Sequence, residues 1–299
     1  GATRLREALI YSKNIATVKL LEEVGVEKVI SFARAIGIKG AFPHNLTLAL
    51  GSLSISPLDM TTAYNVFANG GIRAEPIAIK YIMDSAGNVI ENNRPEGDRV
   101  ISPETSYLTT SMLDDVVKRG TGWRARALRR SVAGKTGTTN EYKDAWFMGY
   151  THELTAGVWV GFDNARTLGE EETGSRAAAP IWVSFMKKAL SRNSGSGQKR
   201  PFQIPDGIVT AMIDPLTGLL ATDETEKMVE FFKEGTVPTV YSTQFYRDLV
   251  IRQKEELKNY KKPEDEEDGE DGAELEDVGD DADVTDGADD EDAGEQLND

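Results

Sequence analysis

Two neighbouring runs, residues 144–151 and 154–162, repeat the two-residue period of extended backbone and leave no face polar. Trp146, Met148 and Tyr150 alternate with Phe147 and Gly149, and Ala156, Val158 and Val160 alternate with Gly157, Trp159 and Gly161. A tight turn at His152-Glu153 separates the runs, so they read as a strand pair. Apolar side chains on both faces require a sheet that is covered on both sides. Residues 177–190 carry Ile181, Val183, Phe185, Met186 and Leu190 in a helical pattern and supply one cover.

Just upstream, Val132-Ala-Gly-Lys-Thr-Gly-Thr-Thr-Asn140 reads as a short strand. Gly134 and Gly137 weaken it, and glycine inside a strand marks close approach of a ligand or another backbone. The small residues leave Lys135, Thr136 and Thr138 accessible beside backbone N–H groups. An anionic, extended substrate could lie along such an edge. An ordinary strand with a solvated lysine fits the same residues.

Taken in order, the chain begins with two helical patterns broken at Tyr11-Ser-Lys-Asn14, with Thr3 as the expected cap of the first and Gly25 as the stop of the second. Ser12 and Asn14 place a hydroxyl and an amide at a helix start, where plain capping is the alternative role. A third helix spans residues 27–37. Ser56-Pro-Leu-Asp59 and Ser102-Pro-Glu104 are helix starts, each with a capping serine and proline at the first helical position. The first of these helices stops at Gly70-Gly71 and the second near Lys118, before the loop Gly120-Thr-Gly122 and a basic stretch from Arg124 to Arg130. Residues 77–83 and 89–90 flank a turn and predict a hairpin. Further on, residues 208–222 predict a small hairpin around Asp214-Pro-Leu-Thr-Gly218. Residues 231–239 are extended, and residues 245–262 form a polar helix.

The net charge of −16 is unevenly spread. Residues 263–299 hold about 20 Asp or Glu and no Lys or Arg, which leaves about +4 for residues 1–262. The tail has almost no apolar side chains to offset its ordering entropy, so it is expected to be disordered and solubilising. There is no cysteine, which excludes disulfides and thiolate chemistry. His44 and His152 have no ligand-like neighbours, so neither a histidine triad nor a metal site is expected. No apolar run reaches the roughly 18 residues of a membrane span.

Ser12-Lys-Asn14, Gly120-Thr-Gly122, Lys135-Thr-Gly-Thr138 and Asp144-Ala-Trp-Phe-Met-Gly-Tyr150 occur in an order that resembles the transpeptidase domain of class A penicillin-binding proteins. Ala178-Ala-Pro-Ile-Trp182, Phe202-Gln-Ile-Pro-Asp-Gly207, Asp214-Pro-Leu-Thr-Gly218 and Glu230-Phe-Phe-Lys-Glu-Gly-Thr236 extend the resemblance to about Thr239. It implies an α/β (α+β) fold of the serine β-lactamase/transpeptidase type, an antiparallel sheet flanked by helices and incomplete at its N-terminus, with an open edge on the strand at residues 154–162. It divides the chain into residues 1–192 (the C-terminal part of the transpeptidase domain), 193–262 (a C-terminal extension) and 263–299 (the acidic tail).

The implied activity is peptidoglycan cross-linking through a serine acyl-enzyme, with β-lactams as substrate mimics. Ser12 would relay a proton to the leaving group and Asn14 would bind the substrate's peptide group. Lys135 would supply positive potential, Thr136 and Thr138 would hold the terminal carboxylate, and Gly137 would leave the approach open. The implied partners are stem peptides, lipid-linked precursors and β-lactams, with no nucleic acid and no cofactor. The location is the periplasmic side of a bacterial inner membrane, touched only through sequence upstream. A carboxypeptidase, a β-lactamase or a non-catalytic scaffolding module are the alternatives. The family's Ser-x-x-Lys nucleophile does not precede Ser12. Ser184-Phe-Met-Lys187 and Ser196-Gly-Gln-Lys199 match the string, but they follow Lys135 and are rejected. The 299 residues are therefore expected to be catalytically incomplete on their own.

Overall fold

The computed structural model describes residues 3–193 and 200–259. The acidic tail and the string at Ser196 lie outside them. Helices α1 (Leu5–Ile10), α2 (Asn14–Val24) and α3 (Val26–Ala35) open the chain, followed by α4 (Pro57–Ala68). The expected cap at Thr3 is corrected: Arg4 occupies the cap position, and no side chain bonds the free N–H groups there. The serine before α4 does cap. Ser56 Oγ accepts from Asp59 N at 3.1 Å and donates to Asp59 Oδ2 at 2.8 Å, so serine and acid satisfy each other reciprocally.

Four short strands follow as two ribbons. β1 (Ile72–Ala74) pairs with β4 (Gly97–Arg99), enclosing the expected hairpin of β2 (Tyr81–Met83) and β3 (Val89–Asn92). Helix α5 (Pro103–Arg119) starts at Ser102, whose Oγ accepts from Thr105 N. One 3₁₀ segment, Trp123–Leu128, leads into β5 (Ala133–Thr138), which is followed by β6 (Asp144–Tyr150) and β7 (Thr155–Gly161). These three form an antiparallel sheet in the order β5-β6-β7, with Gly137 opposite Trp146 and Trp146 opposite Trp159. Among the described residues β7 pairs only with β6, so its outer edge is open as expected.

Both faces are covered. Helix α6 (Ala179–Asn193), preceded by one π-helical turn at Gly174–Ala178, packs Trp182, Val183, Met186 and Leu190 against Phe147 and Ala156. Ala125 and Leu128 join them from beneath β5. The opposite face meets α5 and α4, where Leu113, Ala133 and Tyr150 are buried together and Tyr150 Oη bonds Thr110 Oγ1 at 2.8 Å.

The C-terminal elements are β8 (Ile208–Ile213), β9 (Met228–Lys233) and α7 (Gln244–Asn259). The expected hairpin within residues 208–222 is corrected. The turn at Asp214–Gly218 forms, but only a bridge at Leu220 returns from it, and β8 pairs along its length with β9. Met228-Val-Glu-Phe-Phe offers the better apolar strand, and Phe231 packs edge-on to Tyr107 of α5 at 5.4 Å. The turn itself is fixed by the buried Asp214 carboxylate, which accepts from Ser242 Oγ at 2.6 Å, Leu216 N at 2.9 Å and Arg247 Nη1 at 2.9 Å. Burial pushes its pKa up, but these donors outweigh burial and hold it below the usual carboxylate range.

Candidate active site

Ser12 sits at the break between α1 and α2, where its N–H reaches Leu9 O and the next N–H reaches Ala8 O. Its φ of 53° lies in the left-handed region, which costs a non-glycine residue about 1–3 kcal/mol. The cap of α2 is Lys13, without a side-chain bond, so Ser12 is not spent on capping. Its hydroxyl instead accepts from Lys135 Nζ at 2.9 Å, between residues 123 positions apart. Lys135 Nζ also donates to Thr136 O at 3.0 Å. Two stretches that were separate in the sequence are thus one constellation.

The loop between α5 and the 3₁₀ segment holds this constellation together. Thr136 Oγ1 donates to Thr121 Oγ1 at 2.8 Å, and Thr121 N donates to Ile10 O at 3.3 Å. Gly120 lies so close to α1 that an added Cβ would stand 2.3 Å from Ile10 O, so only glycine fits. Thr121 therefore bridges the Lys-Thr-Gly strand and the end of α1, two residues before Ser12. The sequence marks Gly120-Thr-Gly122 as a loop and gives Thr121 no role of its own. The paired glycines were the available signal.

At the other end of β5, Thr138 Oγ1 accepts from Gly174 N at 3.0 Å. A Cβ on Gly174 would meet Trp146 O at 2.2 Å and Gly137 O at 2.5 Å, so the π-helical turn locks onto β5 only through glycine. Nothing in the sequence around Gly174 marked this. Gly137 faces the same side as Lys135, opposite Trp146. Asn14 is exposed at the first position of α2 and makes no hydrogen bond to Ser12 or Lys135 among the described residues. Ser184 is exposed on α6, which covers the sheet face away from Lys135, so the site does not include it. His152 is exposed in the β6–β7 turn, as expected.

Desolvation lowers the Lys135 ammonium pKa from its ordinary 10.5 to about 8. The folded chain therefore binds this proton less tightly than the unfolded chain. The resulting penalty is fully present below about pH 8 and disappears as pH rises through about 10.5. The shift corresponds to a penalty of order 3 kcal/mol. Lys135→Met is thus expected to raise stability at neutral pH by up to about that amount, with the gain vanishing near pH 10.5. Urea unfolding of both proteins across that range measures it; a gain independent of pH would contradict a desolvated ammonium as its source.

Comparison with known proteins matches this arrangement to a family. The Penicillin binding protein transpeptidase domain family matches residues 1–187, and the Penicillin-binding protein 1A, C-terminal domain family matches residues 204–247. The chain belongs to the penicillin-binding protein transpeptidase family. It is 39% identical over 252 residues to Penicillin-binding protein 1A of Aquifex aeolicus, covering 84% of this chain and 34% of that protein. It is 36% identical to Penicillin-binding protein 1A of Pseudomonas aeruginosa, covering 80% and 35%. The chain thus spans about a third of the length of these curated relatives. The crystal structure of Penicillin-Binding Protein 1A from Haemophilus influenzae superposes with a TM-score of 0.74 at 33% identity, over 81% of this chain and 41% of that one. PonA1 from Mycobacterium tuberculosis superposes at 0.59 with 26% identity, over 68% and 58%. The fold is the β-lactamase/transpeptidase fold of these penicillin-binding proteins.

Proposed function

We propose that this chain supplies two walls of a D-Ala-D-Ala transpeptidase site that cross-links peptidoglycan. The observation that carries the reading is the Lys135–Ser12 hydrogen bond of 2.9 Å, which joins the Lys-Thr-Gly strand to the Ser-x-Asn turn. The reaction is acyl transfer. A serine from sequence upstream, its proton taken by the lysine of the same Ser-x-x-Lys, attacks the carbonyl of the penultimate D-alanine and expels the terminal one. Ser12 gives its proton to the leaving amine and recovers one from the Lys135 ammonium. A neighbouring stem-peptide amine then takes the acyl group and gives up a proton that restores the Lys135 ammonium, and the serine leaves with the proton its own lysine had taken.

The hydroxyls divide the work. Thr136 has its proton directed at Thr121, whereas Thr138 accepts from Gly174 N and keeps its own proton to donate. Thr138 therefore makes the first contact with the substrate's terminal carboxylate, with Lys135 supplying the charge. Its backbone N–H serves as an oxyanion donor, Gly137 keeps the approach clear, and Asn14 binds the substrate's peptide group. Residues 1–192 carry the site, and β9 of the C-terminal extension buttresses it through Glu230 and Arg6. The remaining length of the relatives leaves room for a glycosyltransferase acting on lipid-linked precursors and for an anchor at the periplasmic face of the inner membrane. β-Lactams acylate the same serine; PonA1 has been solved in complex with penicillin V.

The 299-residue chain alone is expected to form no covalent adduct with labelled penicillin, as read by intact-protein mass. A chain extended upstream through a Ser-x-x-Lys is expected to be acylated, and Ser12→Ala or Lys135→Ala in it to slow acylation by about 10²–10³-fold. An adduct at Ser184 or Ser196, or unchanged acylation in both variants, would overturn the proposal.

A further inference from the structure

The 3₁₀ segment Trp123–Leu128 carries positive charge without an ion-pair partner among the described residues. The cations before it on α5 are paired: Lys118 with Asp114 at 2.5 Å, and Arg119 with Asp115 at 3.1 Å and Glu7 at 3.2 Å. Among the described residues Arg124, Arg126 and Arg129 have no acidic partner within 4.0 Å. Arg126 is oriented by the carbonyls of Trp123 and Lys118, which bring no full charge. Arg124 Nε is buried with no hydrogen-bond partner among the described residues. Both guanidinium groups lie over the ring of Trp123, at 4.7 and 5.8 Å from its centroid, while Trp123 remains 47% exposed. Burying a donor without a partner costs about 1–3 kcal/mol.

The place of this cluster is informative. Trp123 follows Thr121 by two residues, and Thr121 is bonded to Thr136 at 2.8 Å. Ala125 and Leu128 pack beneath the same sheet face with Phe147, the partner of Thr136. β5 is an edge strand. A peptide added along that edge sends alternate side chains to the Thr136 face, the face on which Ala125 and Leu128 of the segment bearing Arg124 and Arg126 pack.

We propose that Arg124 and Arg126, held on Trp123, form a subsite for a second carboxylate of the peptide that binds along β5, distinct from the terminal carboxylate met by Lys135 and Thr138. The guanidinium fork matches a carboxylate bidentately, and the indole face fixes both cations. The inference rests on the transpeptidase reading and adds a preference for acidic stem peptides to it.

The test compares two N-acetylated peptides ending in D-Ala-D-Ala, one with an internal free carboxylate and the other with the carboxamide in its place. Binding to the 299-residue chain is followed by amide shifts of Thr136, Gly137 and Thr138. The carboxylate peptide is expected to bind about tenfold tighter, with the preference shrinking at high salt. The preference is expected to vanish in Arg124→Gln/Arg126→Gln and to survive in part in Arg124→Lys/Arg126→Lys. Equal binding of the two peptides to the wild-type chain overturns the subsite alone, and so does a preference that persists in the glutamine pair. If neither peptide binds, the transpeptidase reading and the subsite both fall. Should the glutamine pair fail to fold, the wild-type comparison of the two peptides decides.

Discussion

Arg6→Ala is expected to destabilise the protein by about 3–5 kcal/mol, read as a fall in the urea midpoint with little dependence on salt. Arg6 is 7% exposed, and its guanidinium joins three segments that are far apart in the chain. From α1 it reaches Glu230 of β9 through Nε at 2.9 Å to both carboxylate oxygens, and through Nη2. It also donates to Ser111 O and Asp115 Oδ2 of α5, both at 3.0 Å. Burial works against its charge, yet Glu230 and Asp115 outweigh burial and raise its pKa. Alanine would leave the largely buried Glu230 carboxylate with the Phe231 N–H at 3.1 Å and a longer contact to Arg4 at 3.6 Å. Removing one member of a buried pair costs more than the pair contributes, because the remaining charge loses its compensation. Arg6→Met/Glu230→Leu should accordingly cost less than Arg6→Ala alone. A loss below about 1 kcal/mol for Arg6→Ala would show that water reaches Glu230 freely.

Trp182→Ala is expected to cost about 3–5 kcal/mol, with Trp182→Phe intermediate, measured by thermal unfolding. The side chain is fully buried and supports the sheet from the α6 side. Its ring meets Phe147 edge-on at 5.1 Å, and its Nε1 donates to Ala156 O at 2.9 Å. Gly149 is pressed so close that a Cβ there would stand 3.0 Å from the indole. Alanine would empty a large volume and remove one hydrogen bond from the Ala156 carbonyl, whereas phenylalanine refills much of the volume and loses the hydrogen bond. Phe147 is the register partner of Thr136, so the loss should extend to the substrate edge. Equal effects of the two variants would assign the whole cost to the hydrogen bond.

The sheet was legible because its signal is local. Trp146, Met148 and Tyr150 announce a period of two whatever the rest of the chain does, and Ser56-Pro57 and Ser102-Pro103 announce helix starts within four residues. The site was legible only in outline. Lys135 and Ser12 were named from their motifs, but their meeting is a tertiary fact, and so is the use of Thr121 as a bridge. Gly174 fits against Trp146 O and Gly137 O because of the π-helical turn, and a lone glycine in a loop carries no mark of that. The mispairing of β8 has a similar origin. A turn at Asp214-Pro-Leu-Thr-Gly218 is a local signal, whereas the choice of β9 over the nearer segment depends on Phe231 reaching Tyr107.

The clamp on Arg6 has a consequence for how the molecule is made. Its partner Glu230 lies 224 positions later, so at ordinary rates of synthesis helix α1 leaves the ribosome roughly 10–45 s before that partner exists. Until then Arg6 has only the α5 half of its clamp, Ser111 and Asp115, and α1 lacks its tie to β9. Contacts of such long sequence separation close late, because loop entropy must be overcome before they repay it. The wall of the site that comes first in the sequence is therefore the last to be set, and the C-terminal ribbon acts as the latch that completes it.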